Sequence, residues 1–274
     1  MSVLANLAVT LGMLLIVPFG LALIDAPGLA LVRRWWTVPA VIGAVTLWLP
    51  RGDLSVGLAC VYAVAAVALV AVAVARLVQR RSLAPREIAV LTALVCPSIA
   101  ALALVAERSG HTLFGFDLDI LELTVPHFHY AGFAAALIAG LVSRATAGSG
   151  TLSTVAALSV PAGTGLVLVG YFINDWVELA GATVLTIGMW SVGWLVWTQL
   201  RTHAKQRPTQ LLLAVSSVTL VATMLLAVSY AFGEAADLPH LSLTWMVATH
   251  GAANAVGFAL CGLLAFRRLA PARI

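Results

Sequence analysis

Long apolar runs, separated by short polar segments, make up almost the whole chain. A helix needs about 20 apolar residues to cross a bilayer, because it rises about 1.5 Å per residue. The runs therefore predict an all-α, polytopic bundle of nine transmembrane helices, or of eight if the short second run does not span. They cover residues 3–24, 35–50, 54–75, 88–106, 125–143, 152–173, 179–199, 210–232 and 242–265.

Composition strengthens this interpretation. Of the 274 residues, 62% are hydrophobic and 9% are charged, whereas a soluble domain carries about 25% charged residues. The mean hydropathy is +1.04. These values exclude a soluble enzyme, a disordered chain and a nucleic-acid partner. They predict a single integral membrane domain over residues 1–274, with the lipid bilayer as its surroundings. The first run lacks a basic leader, which predicts a retained helix rather than a signal peptide.

The basic residues predict an orientation. With nine spans and the N-terminus outside, thirteen of the fifteen Lys and Arg residues fall in segments assigned to the cytoplasm, and Arg51 and Arg108 are the exceptions. This is the positive-inside pattern, and it places the C-terminus in the cytoplasm. If the second run does not span, only the first helix reverses. Trp35, Trp36 and Trp197 are expected near the inner boundary as an aromatic belt.

Acidic residues and histidines gather on the opposite side. Two acidic residues fall inside and nine outside, together with five of the six histidines. The net charge of +4 thus divides into about +11 inside and −7 outside. Because acidic residues contribute little to the positive-inside rule, this clustering is separate information. It directs the search for function to the outer half, although short outer loops also need polar residues.

The longest loop, residues 107–124, belongs to that outer side. Its apolar residues alternate with Asp117, Asp119 and Glu122. Such a segment is expected to lie at the membrane interface, as an outer loop or a lid. An ordinary amphipathic connector is the open alternative.

The first candidate site opens the fifth span, in the sequence TVPHFHYAGF from residue 124 to 133. His127 and His129 are two residues apart, so on a regular helix they point about 200° apart. They are therefore poorly placed to bind one metal ion, and each is expected to have its own partner. Tyr130 and Phe133 follow on the same helix as candidate substrate-binding residues.

The second candidate site is the turn between the sixth and seventh spans. Asn174 and Asp175 are expected to cap the seventh helix. Glu178 comes three residues after Asp175, so the two carboxylates can share one helix face and one proton. Such a pair would supply a proton donor at neutral pH. Trp176 lies between them as a candidate substrate-binding residue.

The third candidate site is in the ninth span. His250 is predicted about 12 Å below the start of that helix, and Asn254 is one turn further along the same face. A polar pair at such depth is costly without partners, which makes it a functional-site hypothesis. A hydrogen bond between helices that only fixes packing is the alternative. Trp245, near the start of the span, joins the candidate substrate-binding residues.

Two of these segments resemble a known family. LTVPHFHYAGF, residues 123–133, and THGAANAVGF, residues 249–258, are similar to two blocks of the YndJ-like family of bacterial integral membrane proteins. The resemblance implies a shared fold and a multi-pass protein of the bacterial plasma membrane. It implicates His127, His129, Tyr130, His250 and Asn254. It does not decide the activity, since the family is often labelled a transporter without a settled mechanism.

Three functions remain open. The first is an intramembrane enzyme that isomerises or cyclises a lipophilic, terpenoid-like substrate in an outer-half pocket, without cofactor or metal. Its proton donor would be Asp175, Glu178 or Glu122, and a carboxylate or histidine would take up the final proton. The full set of candidate catalytic residues is Asp175, Glu178, Glu122, His127, His129 and His250. The candidate substrate-binding residues are Tyr130, Phe133, Asn174, Trp176, Asn254 and Trp245.

The second function is a small-solute or proton-coupled transporter. Helix breakers at Pro97 and at residues 161–165 favour it, whereas the near-absence of ionisable residues in the inner half of the spans speaks against a continuous polar path. The third is a metal- or haem-binding membrane protein that uses His127, His129 and His250. The first is the hypothesis that the residues favour, provided that the fifth, seventh and ninth spans converge.

Overall fold

The computed structural model describes residues 3–147, 150–269 and 274. Arg273, one of the basic residues assigned to the cytoplasm, lies outside them. The described residues form ten helices and no β-strand, so the predicted all-α class is confirmed. Eight helices are long and apolar enough to cross a membrane. The helices are α1 (Val3–Leu21), α2 (Leu29–Trp35), α3 (Thr37–Thr46), α4 (Asp53–Arg80), α5 (Pro85–Ser109), α6 (Leu118–Ala145), α7 (Thr151–Ile173), α8 (Asp175–His203), α9 (Arg207–Ala236) and α10 (Leu243–Arg268).

Polar side chains fix the start of several helices. The Asp117 carboxylate accepts hydrogen bonds from the backbone N–H groups of Asp119 and Ile120, at 3.1 and 3.0 Å, and so caps α6. Capping satisfies donors that the first turn leaves without an intrahelical partner. Because of this cap, α6 begins seven residues before the predicted span at 125. The segment 107–124 therefore consists of the end of α5, a connection over residues 110–117, and the first turns of α6. Its role as a lid stays a prediction.

The second predicted run, residues 35–50, forms one short helix, α3, and the predicted loop before it, residues 25–34, contains another short helix, α2. The longer of them, α3, has ten residues and a length of about 15 Å, which is too short to span a bilayer alone. Both helices nevertheless lie along α4, a helix of 28 residues. Arg76, near the end of α4, donates to the carbonyl oxygen of Asp25, and Ser55, near its start, donates to that of Pro50. The chain between residues 25 and 50 thus runs the length of α4, and a ninth membrane passage by this segment stays a prediction.

The chain divides into two compact units. The first comprises the residues up to Ser82 together with Val90–Ala134, and the second comprises Leu83–Ala89 and the chain from Ala135 onward. Glycines allow close packing in the first unit. A Cβ atom at Gly43 would lie 2.7 Å from the Cβ of Tyr62, and one at Gly12 would lie 3.0 Å from that of His129. These two rings therefore pack directly on neighbouring backbone.

A buried ion pair joins helix ends in the first unit. The Arg108 guanidinium forms a bidentate contact with the carboxylate of Glu107, and both side chains are buried. Arg51 donates to the same carboxylate at 2.9 Å. Arg108 also donates to the carbonyl oxygens of Thr46 and Leu49, at 3.1 and 3.2 Å. The two exceptions to the positive-inside pattern are therefore structural residues that hold the end of α3 against the end of α5.

In the second unit, α7 and α8 form a closely packed hairpin. Gly163 and Gly170 are seven residues apart on α7, and Gly181 and Gly188 are seven residues apart on α8. A Cβ atom at any of these positions would approach the partner helix to within 3 Å. Small residues at this spacing let two helix backbones approach each other without large side chains between them.

The predicted helix breakers do not interrupt their helices. Helix α5 continues through Pro97, and α7 continues through residues 161–165. Irregular backbone occurs elsewhere, as π-helical turns with wider hydrogen-bond spacing. Such turns are rare overall, but where they occur they often lie at functional sites. In the described part of the chain they cover Gly12–Ile16, Phe128–Ala134, Val196–Leu200, Val247–Gly251 and Asn254–Leu260.

The ninth passage can be tested by cysteine labelling. In a background without reactive cysteines, Asp25→Cys and Asp53→Cys are expected to react with a membrane-impermeant maleimide from opposite sides of the membrane. The reason is that α2 and α3 carry the chain along the full length of α4. Labelling of both positions from the same side would show that residues 29–46 do not cross.

The buried ion pair predicts a large loss of stability on substitution. Glu107→Gln is expected to lower the free energy of unfolding by about 3 kcal/mol, since it leaves the buried Arg108 cation without its counter-charge. Arg51→Gln serves as the control, because the Arg51 side chain is 42% exposed. Its effect is expected to stay below about 1 kcal/mol. Reversible unfolding in mixed micelles measures both changes, and equal effects would contradict the assignment.

Candidate functional site

His129 lies in the core of the first unit and is fully buried. Its Nδ1 is 2.7 Å from the carbonyl oxygen of Val125, and its Nε2 is 2.6 Å from the hydroxyl of Tyr62. Because a carbonyl oxygen only accepts, Nδ1 carries the hydrogen, and Nε2 accepts from the Tyr62 hydroxyl. The contacts therefore define a neutral imidazole with one tautomer, and each ring nitrogen has a partner within the protein.

Tyr62 and Trp36 extend this arrangement into a buried column. The Trp36 ring meets the Tyr62 ring edge-on, with centroids 5.7 Å apart, and its Nε1 donates to the carbonyl oxygen of Met13 at 2.9 Å. Trp36 is 2% exposed, so its predicted place in an aromatic belt is wrong. Its indole is part of the core because it can donate to the π-helical turn of α1. Tyr62 was not a predicted site residue, and a single tyrosine within an apolar run gave little signal.

The other residues of the first histidine block have different surroundings. His127 is exposed, and its ring packs edge-on against Phe128 at 5.8 Å. Phe133 is buried, and the Tyr130 hydroxyl donates to the carbonyl oxygen of Ala8 at 2.7 Å. Glu122 is half-buried near the start of α6. The two histidines thus point to different environments, in keeping with their two-residue spacing.

The polar pair of the last span forms a ring of hydrogen bonds in the second unit. His250 Nδ1 lies 2.8 Å from the carbonyl oxygen of Thr223, and Asn254 Nδ2 lies 3.2 Å from His250 Nε2. The Thr223 hydroxyl donates to Asn254 Oδ1 at 2.8 Å. His250 is again a neutral ring with its hydrogen on Nδ1. These bonds join α9 to α10, as expected for polar groups at membrane depth.

The turn between α7 and α8 belongs to a larger group, which we call the acidic cluster: Tyr171, Asp175, Glu178, Tyr230, Glu234 and His240. Asn174 caps α8 by accepting from the N–H of Val177 at 3.1 Å, as predicted. Glu178 interacts electrostatically with Asp175 on its own helix and with Glu234 on α9. The predicted carboxylate pair is therefore accompanied by a third carboxylate from a facing helix.

His240 completes the acidic cluster from the connection between α9 and α10. Its Nε2 lies 2.8 Å from Glu234 Oε1, and its Nδ1 lies 2.9 Å from the carbonyl oxygen of Leu241. Both ring nitrogens of His240 thus lie within hydrogen-bonding distance of an oxygen atom. The Tyr230 ring, one turn before Glu234 on α9, meets the His240 ring edge-on, with centroids 4.9 Å apart.

Sequence reasoning did not select Glu234 or His240 as site residues. Both were assigned to the outer side, but their meeting depends on how the six-residue connection after α9 folds back. Gly233 permits this return, because a Cβ atom there would lie 2.5 Å from the Cβ of His240. A glycine one residue before an acidic residue and seven before a histidine was the only sequence signal.

Exposed aromatic residues lie at the turn between α7 and α8, next to Asp175 and Glu178 in the sequence. Tyr171, Phe172 and Trp176 are each about half exposed or more, at the end of α7 and the start of α8. Trp245, another predicted substrate-binding residue, is also exposed. Trp176 and Trp245 therefore face the surroundings of the helices. In a bilayer they would meet lipid or a molecule dissolved in it.

The candidate residues thus form three groups. His129 meets Tyr62 in the first unit, and His250 meets Asn254 in the second. Asp175 and Glu178 form the third group, in which they interact electrostatically with Glu234, also in the second unit. The predicted convergence of the fifth, seventh and ninth spans stays a prediction. Among the residues that the structure describes, no three or more His, Cys, Asp or Glu side chains form a group that could hold a metal ion.

Comparison with known proteins gives one result. The family described as YndJ-like protein matches residues 7–258, which is nearly the whole chain and includes both histidine blocks. No curated protein matches the chain, and no solved structure does.

The buried column predicts that the protein loses stability when the Tyr62 hydroxyl is removed. Tyr62→Phe is expected to lower the free energy of unfolding by about 1–3 kcal/mol, because it leaves the buried acceptor His129 Nε2 without a donor. The control Thr183→Val removes an exposed hydroxyl that donates to Leu179 of its own helix, α8, and is expected to change stability by less than about 0.5 kcal/mol. Unfolding in mixed micelles compares the two variants. If Tyr62→Phe costs no more than its control, the hydrogen bond does not hold the column.

Proposed function

Since the chain belongs to the YndJ-like protein family, a membership that specifies no chemistry, we propose a function from its own geometry: an integral membrane enzyme that isomerises or cyclises a lipophilic, terpenoid-like substrate by acid–base catalysis. The observation that carries the proposal is the acidic cluster, in which carboxylates from facing helices lie among exposed aromatic rings. The proposed location is the bacterial plasma membrane, with the cluster in its outer half.

Glu178 is the proposed proton donor. It interacts with two other carboxylates, Asp175 and Glu234. Close carboxylates repel one another when all are ionised, and a bound proton relieves that repulsion. A protonated Glu178 would transfer its proton to an alkene carbon or an epoxide oxygen of the substrate, and a carbocation would form as the double bond or the C–O bond gives up its electrons.

Tyrosine rings of the cluster would stabilise the cation. Tyr171 interacts electrostatically with both Glu178 and Tyr230, so the two rings lie near the donor. The face of an aromatic ring attracts a cation without reacting as a base. The carbocation would therefore persist long enough to rearrange or to close a ring.

Glu234 is the proposed acceptor of the final proton, with His240 as its positioning partner. Loss of a proton from a carbon next to the cation forms a new double bond and ends the reaction. The substrate gains one proton and loses one, so the reaction needs no oxidant, reductant or co-substrate. Glu178 and Glu234 interact electrostatically, and the proton taken up by Glu234 would return to Glu178 for the next turnover. This assignment takes the place of His127, His129 and His250 as acceptors.

A lipophilic substrate would reach Glu178 directly from the bilayer. Glu178 is half-buried, and the neighbouring Phe172 and Trp176 are exposed on the outside of the helices. A molecule dissolved in the lipid would reach the donor without crossing water. The apolar rings would also keep water from capturing the carbocation.

The test compares lipophilic extracts from cells that express the protein and its variants. Glu178→Gln keeps the shape of the side chain but cannot donate a carboxylic proton, so the product is expected to fall by a factor of about 100 or more. Asp237→Asn is the matched control, because it removes an exposed carboxylate just beyond the end of α9. It is expected to leave the product level unchanged. Equal product from wild type and Glu178→Gln would overturn the proposal.

Transport is the second candidate, and one observation favours it. Thr209, Ser216, Thr223, Tyr230 and Glu234 lie within one narrow sector of α9 and form a polar stripe along its whole length. However, Ser216 donates to the carbonyl oxygen of Phe258, and Thr223 donates to Asn254. These hydroxyls therefore join α9 to α10 and do not line a path. Unchanged extracts together with a lost uptake of a small solute would decide for transport.

A further inference from the structure

The second unit has an end opposite to the acidic cluster, and that end is basic. Helices α8 and α9 are antiparallel neighbours, since Trp190 Nε1 lies 3.4 Å from the carbonyl oxygen of Val221 and residues 204–206 join the two helices. Arg201, Lys205 and Arg207 gather around this connection. The sequence has no Asp or Glu between residues 179 and 233 or after residue 237. No acidic residue of α8, α9 or α10 therefore lies near these cations.

Arg201 is held in a defined orientation. Its guanidinium lies over the Trp197 ring, 3.9 Å from the ring centroid, and its Nε donates to the Trp197 carbonyl oxygen at 3.4 Å. The stacking occupies one face of the guanidinium, and the hydrogen bond uses one of its five N–H groups. The other four N–H groups have the geometry that binds a phosphate in a bidentate manner.

The connection beside Arg201 is itself fixed. Gln210 donates to the carbonyl oxygen of Ala204 at 2.7 Å, and Arg268 donates to Gln206 at 3.3 Å. Lys205, between these anchored residues, is exposed. Lys205 is thus carried on a short, tethered turn four residues after Arg201, and little further ordering of the backbone is needed to bind an anion there.

Three tryptophans continue from Arg201 along the same face of α8. Trp190, Trp194 and Trp197 are spaced by four and three residues, and Trp194 is 62% exposed. They extend over about 10 Å of the helix, from the basic end toward its middle. An indole belt usually marks only the interface. Here the rings reach deeper, so they offer an apolar strip below the cations.

We propose that Trp190, Trp194, Trp197, Arg201 and Lys205 form a binding site for an anionic phospholipid. The phosphate would bind to Arg201 and Lys205, and one acyl chain would lie along the indole rings. The charge of the site selects the head group, because a zwitterionic lipid brings an ammonium that these cations repel. The site is separate from the acidic cluster, so it does not rest on the proposed function.

Binding is measured on the purified full chain by native mass spectrometry, with phosphatidylglycerol and phosphatidylcholine as probes. We expect one phosphatidylglycerol to be retained preferentially. The double variant Arg201→Gln/Lys205→Gln is expected to weaken its binding about 30-fold, as each basic residue near a membrane surface contributes about a factor of five. Equal retention of the two lipids by the wild type would overturn the proposal.

Two further variants test whether the lipid binds at this particular site or to surface charge in general. Arg81→Gln/Arg144→Gln removes the same charge from two exposed positions and is expected to weaken binding less than about threefold. Trp197→Leu keeps every charge and is expected to weaken binding about two- to fivefold, through loss of the stacking. If the two double variants behave alike, or if glycerol phosphate in solution displaces the lipid, the site is not a phospholipid site.

Discussion

The hydrocarbon core of a bilayer offers no hydrogen bonds, and this constraint decides where the polar side chains of this protein lie. His129 and His250 illustrate it in the same way. Each ring places Nδ1 against a carbonyl oxygen and Nε2 against a side-chain donor, Tyr62 in one unit and Asn254 in the other. Neither ring needs a charge to be satisfied. The two buried histidines are thus neutral, and the ionised groups described above lie at helix ends.

Close backbone approach is the second condition for these hydrogen bonds. Gly12 and Gly43 leave room for His129 and Tyr62, and Gly233 does the same for His240. Where a side chain replaced the glycine hydrogen, the ring would be displaced from its partner. Small residues therefore place the polar groups as well as packing the helices. The π-helical turns of α6 and α10 occur in the two blocks that carry the histidines, where the backbone departs from regular spacing.

Most of the fold could be predicted from the sequence, because crossing a bilayer demands long apolar runs and little else. The short helix α2 could not, since it lies in the segment 25–34, which hydropathy and its two arginines, Arg33 and Arg34, assign to a loop. The start of α6 depended on a cap at Asp117, which hydropathy does not register. In the candidate site, the spacing of Asp175 and Glu178 indicated one helix face. Glu234, His240 and Tyr62 come from distant segments, and single-sequence spacing carries no information on such pairings.

The buried pair of Glu107 and Arg108 has a consequence for how the protein enters the membrane. The two residues are neighbours in the chain, so their charges neutralise each other as soon as the end of α5 forms. A lone buried arginine would be costly to insert. Arg51 and the carbonyl groups at the end of α3 then add the remaining contacts, whenever that segment docks. The end of α5 therefore presents a neutral pair, instead of two separate charges, before its neighbours dock.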